Sequence, residues 1–176
     1  EQRPSMTRLE EISLVARCVG FDDRRAFARL VDEYHQPLLR FLTGMCGDEI
    51  LAADLAQETF IKAWKGLKSW VGSGRFSTWL FAIGLNEFRS HARSSRTEVS
   101  ADEIPEAGAE PLKGIDARMD LNAALKYLSE TQRAVVLLFY YRDLPIKKIA
   151  AITNMPENTV KSHLQRARAV LKQILN

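Results

Sequence analysis

Cysteine, histidine, glycine and proline are scarce in this sequence, and a long apolar run is missing altogether; each shortage excludes something. The only thiols, Cys18 and Cys46, stand in no Cys-x-x-Cys spacing. A disulfide framework and a structural zinc site are therefore excluded, and two ordinary thiols in a reducing compartment are expected. His35, His91 and His163 fall in three different segments, none paired with a thiol or carboxylate at a ligand-like spacing. The glycines form no phosphate-cradling loop of the Gly-x-x-x-x-Gly-Lys or Gly-x-Gly-x-x-Gly kind. An enzyme, a cofactor, a metal and a small-molecule substrate are all unexpected on this basis. No apolar stretch approaches the roughly 20 residues that a membrane span requires. The chain opens at Glu1 without a methionine and carries no signal-peptide pattern, so a trimmed N-terminus and a cytoplasmic protein are expected.

Strand-like alternation is absent too, and helical periodicity runs from end to end. The first long pattern, Asp22 to Leu42, sets Phe27, Leu30, Val31, Tyr34, Leu38, Phe41 and Leu42 on one face, and a break is expected from Gly44 to Gly47. A second helix is predicted from Asp48 to Leu67. A third follows from Ser77 to Arg96, with Ser77 as its N-cap. Its first half is apolar and its second half polar and basic, so one end is buried and the other presents something.

Residues 97–115 read as a linker. They hold Pro105, Gly108, Pro111 and Gly114, and set Glu98, Asp102, Glu103, Glu106 and Glu110 against the single Lys113. Such a segment buries too little surface to offset its ordering entropy. The expectation is an all-α protein of two small helical domains, 1–96 and 116–176, joined by a flexible acidic linker. In the second domain helices are predicted over Asp116–Leu128, Glu130–Arg142, Ile146–Thr153 and Glu157–Leu175, with Ser129 and Gln132 as a capping box. That domain carries ten basic side chains against five acidic, a balance that suits nucleic acid and equally a solvated helical surface.

The C-terminus is more specific. IKKIAAIT, the turn NMPE and a long helix outline a helix-turn-helix, whose second helix enters the DNA major groove. Val160, Leu164, Ala167, Leu171 and Ile174 make an inward stripe. The other side offers Asn158, Lys161, Ser162, Gln165, Arg166 and Arg168, with Thr159 and His163 at the margin. These residue types reach phosphates and base edges.

From LSETQRAVVLLFYYRDLPIKKIAAITNMPENTVKSHLQRARAVLKQIL the sequence resembles the promoter-binding C-terminal domain of sigma-70 family factors. The resemblance implies that the helix beginning NTVKSHLQRAR reads the minus-thirty-five element. Lys148 and His163 depart from the residues usual at those positions. DLAQETFIKAW resembles the family segment that packs on RNA polymerase, which assigns Asp54, Gln57, Glu58, Ile61 and Lys65 to that contact. FSTWLFAIGLNEFRSHAR resembles the segment that opens the minus-ten element, implying DNA contact by Arg75, Asn86, Arg89, His91, Arg93 and Arg96, with Trp70 as a wall for a flipped base. Ser90 stands where relatives carry an acidic residue. With no room for a middle domain, the chain is identified as a member of the extracytoplasmic-function (ECF) subgroup. Its implied partners are core RNA polymerase and promoter DNA; the flexible acidic linker, which would let both domains clamp around an inhibitor, adds the expectation of an anti-sigma factor, membrane-anchored or free. The competing reading is an operator-binding helix-turn-helix regulator that never joins polymerase.

Overall fold

The computed structural model describes residues 6–70, 72, 74–98 and 121–175, and every regular element among them is helical. Helix α1 (Arg8–Phe21) starts at a capping box in which Thr7 and Glu10 satisfy each other's backbone N–H groups. The Asp23 carboxylate caps α2 (Arg24–Cys46), accepting from the N–H groups of Arg25 and Ala26. Asp48 does the same for α3 (Glu49–Gly66) through Ile50 and Leu51. A 3₁₀ turn (Leu67–Ser69) and a short connection lead to α4 (Phe76–Glu98). The second unit holds α5 (Leu121–Leu125), α6 (Glu130–Val136) with a π turn at Leu137–Tyr141, α7 (Ile146–Thr153) and α8 (Glu157–Leu175).

Leu30, Leu38, Leu42, Ala56, Phe76, Leu80, Phe81 and Leu85 of α2, α3 and α4 form the buried centre of the first unit. Gly84 lets α2 and α4 approach closely, since a Cβ there would meet Leu38 Cδ1 at 2.9 Å. In the second unit Val135, Leu138, Ile149, Val160, Leu164 and Ala167 are buried together. Arg133 ties its first turns, donating to the Leu125 and Leu128 carbonyls.

The all-α architecture agrees with the sequence, and several boundaries are corrected. Helix α2 runs through Gly44 and stops at Gly47, whose φ of 70° only glycine adopts freely. Ser77 is no N-cap, because α4 already begins at Phe76; the Arg75 carbonyl accepts from Thr78 and Trp79. Helix α1 lies ahead of the first predicted helix. The regular part of α6 ends at Val136 and passes into the π turn, short of the expected Arg142. Helix α4 absorbs the first two residues of the expected linker, whose remainder lies outside the described residues, as does the start of the Asp116–Leu128 helix. No described helix is long and apolar enough to cross a membrane.

The two units touch. Arg133 Nη1 donates to the Met45 carbonyl at 2.6 Å, supplying one of the orphan acceptors at the end of α2. Arg89 of α4 pairs with Glu130 at 2.7 Å. Leu137 sits so close to α2 that a Cβ on Gly44 would lie 2.8 Å from its Cδ2.

Candidate nucleic-acid interface

Asn154 ends α7 in the left-handed conformation (φ 54°), which asparagine tolerates, and its N–H bonds back to the Ala150 carbonyl. The chain reverses there, and Val160 N–H to Pro156 O starts α8. Val160, Leu164 and Ala167 then bury one side of α8, while Ile149, Ile152 and Thr153 hold α7 to the same core. Asn158, Lys161, Ser162, Gln165 and Arg166 all stand exposed on the other side, with Thr159 and His163 half-buried at its edge. His163 Nδ1 is buried without a hydrogen-bond partner among the described residues. Arg168 has an engagement of its own. Its guanidinium lies over the rings of Phe139 and Tyr140, and Nε donates to the Tyr140 hydroxyl at 2.6 Å. It leans on the domain that carries the helix, at the flank of the polar face.

On α4, Asn86, Arg89, Arg93 and Arg96 recur at helical spacing along one side. Asn86, His91, Arg93 and Arg96 are exposed, whereas Arg89 is half-buried and paired with Glu130. Arg93 also reaches Ser90 Oγ at 3.3 Å. Arg75 is held internally, with Nε and Nη2 on the Glu11 carboxylate and Nη2 on the Met6 carbonyl. Trp70 is half-buried and meets Phe76 edge-on at 5.9 Å. The geometry thus brings together a basic side of α4 and leaves Arg75 beneath it as a structural tie.

Asp54, Gln57, Glu58, Ile61 and Lys65 are all exposed on the outer side of α3. Gln57 and Ile61 also line an open apolar groove of about 540 Å³ between α2 and α3, floored by Phe27, Val31, Phe60 and Trp64. Phe27 braces it, edge-on to Trp64 at 5.0 Å and to Phe60 at 6.5 Å.

Sequence reasoning missed Glu11, which is fully buried with Arg75, Tyr34 and the N-terminus of α4 around it. The Thr7–Glu10 capping box was the signal that a helix begins there. It also missed Arg133 and the Phe139–Tyr140 pair, whose partners are distant in sequence.

Residues 30–98 match the family model for sigma-70 region 2, and residues 118–171 match that for sigma-70 region 4. The chain belongs to the sigma-70 family. Within it the chain is an ECF-type sigma factor. It is 31% identical to the RNA polymerase sigma-H factor of Pseudomonas aeruginosa, over 97% of this chain and 96% of that one. It is equally 31% identical to the ECF sigma factor SigM of Bacillus subtilis, over 83% and 95% of the two chains. Among solved structures it is similar to the complex of the sigma factor RpoE with the anti-sigma factor NepR from Bartonella quintana. There the TM-score is 0.71 at 29% identity, covering 85% of this chain and 96% of that one. The CnrH–CnrY structure shares the fold, with a TM-score of 0.72 at 24% identity over 94% and 97% of the chains. Like its family, this sigma factor is a non-enzymatic initiation factor that directs RNA polymerase to promoters.

Proposed function

We propose that the sigma factor divides promoter recognition between its two units, residues 1–96 and 116–176, in the cytoplasm. The outer side of α3 docks on core polymerase, with Ile61 as the apolar anchor and Asp54, Gln57, Glu58 and Lys65 as its polar rim. The basic side of α4, through Asn86, Arg89, His91, Arg93 and Arg96, holds the opened minus-ten strand, and Trp70 offers a wall for an unstacked base. Arg75 serves this surface from below. Helix α8 reads the minus-thirty-five duplex through Asn158, Lys161, Ser162, Gln165 and Arg166, with Thr159, His163 and Arg168 on the edges. An anti-sigma factor, of the kind found in complex with RpoE of Bartonella quintana, holds the protein inactive until a signal releases it.

The observation that carries this reading is the exposed polar side of α8, set just after the turn of a helix-turn-helix. Capture of bacterial core polymerase by the full chain, followed by run-off transcription on a genomic fragment library, tests it. Stable holoenzyme with discrete start sites is expected. Absence of core binding, with duplex DNA still retained specifically, would instead make the chain an operator-binding regulator. Lys161→Ala and Arg166→Ala should both weaken minus-thirty-five binding. A lost phosphate contact lowers affinity for every sequence, whereas a lost bidentate base contact costs about 1–3 kcal/mol at a single position. Unchanged duplex affinity in both variants would displace the reading face from this side of α8.

A further inference from the structure

Helix α1 lies upstream of the region-2 match, which begins at residue 30. It nevertheless makes three contacts to the connection between α3 and α4. The Glu11 carboxylate is wholly buried and accepts from Arg75 Nε and Nη2, from the Tyr34 hydroxyl and from the backbone N–H of Phe76, where α4 begins. Arg8 Nη2 donates to the Gly72 carbonyl at 2.8 Å. Ile12 Cγ1 comes within 3.8 Å of the place a Cβ on Gly72 would take, and Gly72 holds a φ of 69°.

A buried carboxylate is tolerated only when its oxygens are filled by donors. Here those donors come from α2 and from Arg75 and Phe76, more than 60 residues along the chain from Glu11 in the latter two cases. The Phe76 contact also supplies the N-terminal cap that α4 lacks locally. Burial, and then the hydrogen bond to Glu11, holds the Tyr34 hydroxyl protonated well above its ordinary range, so Tyr34 remains a donor to this carboxylate. The parts so tied are those beside Trp70 and at the foot of the basic side of α4. A surface that receives an unstacked base must be fixed in place before the base arrives, because positioning set by loosely held groups is lost.

We propose that α1 is a clamp on the strand-receiving surface, with Glu11 and Arg8 as positioning residues that fix Trp70, Gly72 and Arg75 for capture of the minus-ten strand. This rests on the promoter reading given above. Neither residue need touch DNA. Arg8 is exposed, so its removal leaves the core intact.

The test uses holoenzyme made with Arg8→Ala, Arg8→Lys and Glu11→Gln, on a promoter mapped with the unsubstituted protein. Two affinities are measured: for a single-stranded oligonucleotide carrying the non-template minus-ten element, and for a duplex carrying the minus-thirty-five element. Arg8→Ala should weaken single-strand binding by about three- to tenfold, the worth of one hydrogen bond. It should leave duplex binding and the melting temperature unchanged, and Arg8→Lys should recover part of the loss. Glu11→Gln keeps the shape and loses the charge, and should shift single-strand binding in the same direction. Single-strand affinity equal to the unsubstituted protein in both Arg8→Ala and Glu11→Gln would overturn the proposal. Equal losses on both DNAs, tracking a lower melting temperature, would overturn it too, since α1 would then only support the fold. Failure of the unsubstituted protein to give start sites would sink the promoter reading itself, and the clamp with it.

Discussion

Cys18 is buried at the inner side of α1, and Cys46 is half-buried where α2 ends. Burial raises both thiols above their ordinary value, and nearby Asp23 adds to the effect at Cys18. A raised thiol pKa means less thiolate at neutral pH and a slower nucleophile. Iodoacetamide at pH 7.5 should therefore label both residues more slowly than free cysteine, with mass spectrometry following each site. Denaturant should bring them to the free rate. Rapid native labelling of Cys46 would mean that the end of α2 opens more readily than its packing implies. At the same scale the Arg142 guanidinium lies 5.1 Å from the Phe81 ring centre, its Nε has no hydrogen-bond partner among the described residues, and burial lowers its pKa.

Among the elements, α6 is short, with seven regular residues before its π turn, and depends on its cap. Ser129 Oγ accepts from Gln132 N–H while the Gln132 side chain accepts from Ser129 N–H. Ser129→Ala should destabilise the protein by about 1 kcal/mol, read as a shift in the urea midpoint. This cap, α7 and α8 were all legible, because their signals are local: a capping pair, an apolar face of period 3.6 and a left-handed asparagine. Helix α1 was not. Its buried side is Glu11, Leu14, Val15 and Cys18, while Leu9, Ile12, Val19 and Phe21 are exposed. Apolar residues thus surround the helix, and one core position is a carboxylate, so no stripe marks it. The start of α4 was misread for a related reason. Its first N–H is satisfied by Glu11 from far away in sequence, and Ser77 is a local candidate that the fold does not use.

At the scale of the whole molecule the two units lie in contact, through Gly44 and Leu137, Arg133 and the Met45 carbonyl, and Arg89 and Glu130. Elements centred at minus ten and minus thirty-five stand about 25 base pairs apart, roughly 85 Å at 3.4 Å per base pair. The division of promoter recognition proposed above therefore predicts that the two units separate on the promoter. A disulfide can test the point. A Cβ on Gly44 would lie 3.4 Å from Leu137 Cγ, where a cysteine sulfur would sit. Gly44→Cys with Leu137→Cys, in a background of Cys18→Ala and Cys46→Ser, should close on oxidation. The locked protein should still capture core polymerase, because the outer side of α3 stays open, and should lose run-off transcription until reductant is added. Full transcription while locked would show that the contact is compatible with initiation.

The sequence by itself determined the helical class, the two-unit organisation, the helix-turn-helix and the exposed sides of α3 and α8, since each follows from periodicity and capping within a few turns of one helix. Only the tertiary structure decided what several of the charged residues engage. Arg75, Arg89 and Arg168 belong to the same residue type as Arg96 and Arg166. Their roles separate because Glu11, Glu130 and the Phe139–Tyr140 pair come to them across 28 to 64 residues of chain. A guanidinium in water and one tied to a buried carboxylate are identical in sequence, and differ only in what folding brings within hydrogen-bonding distance.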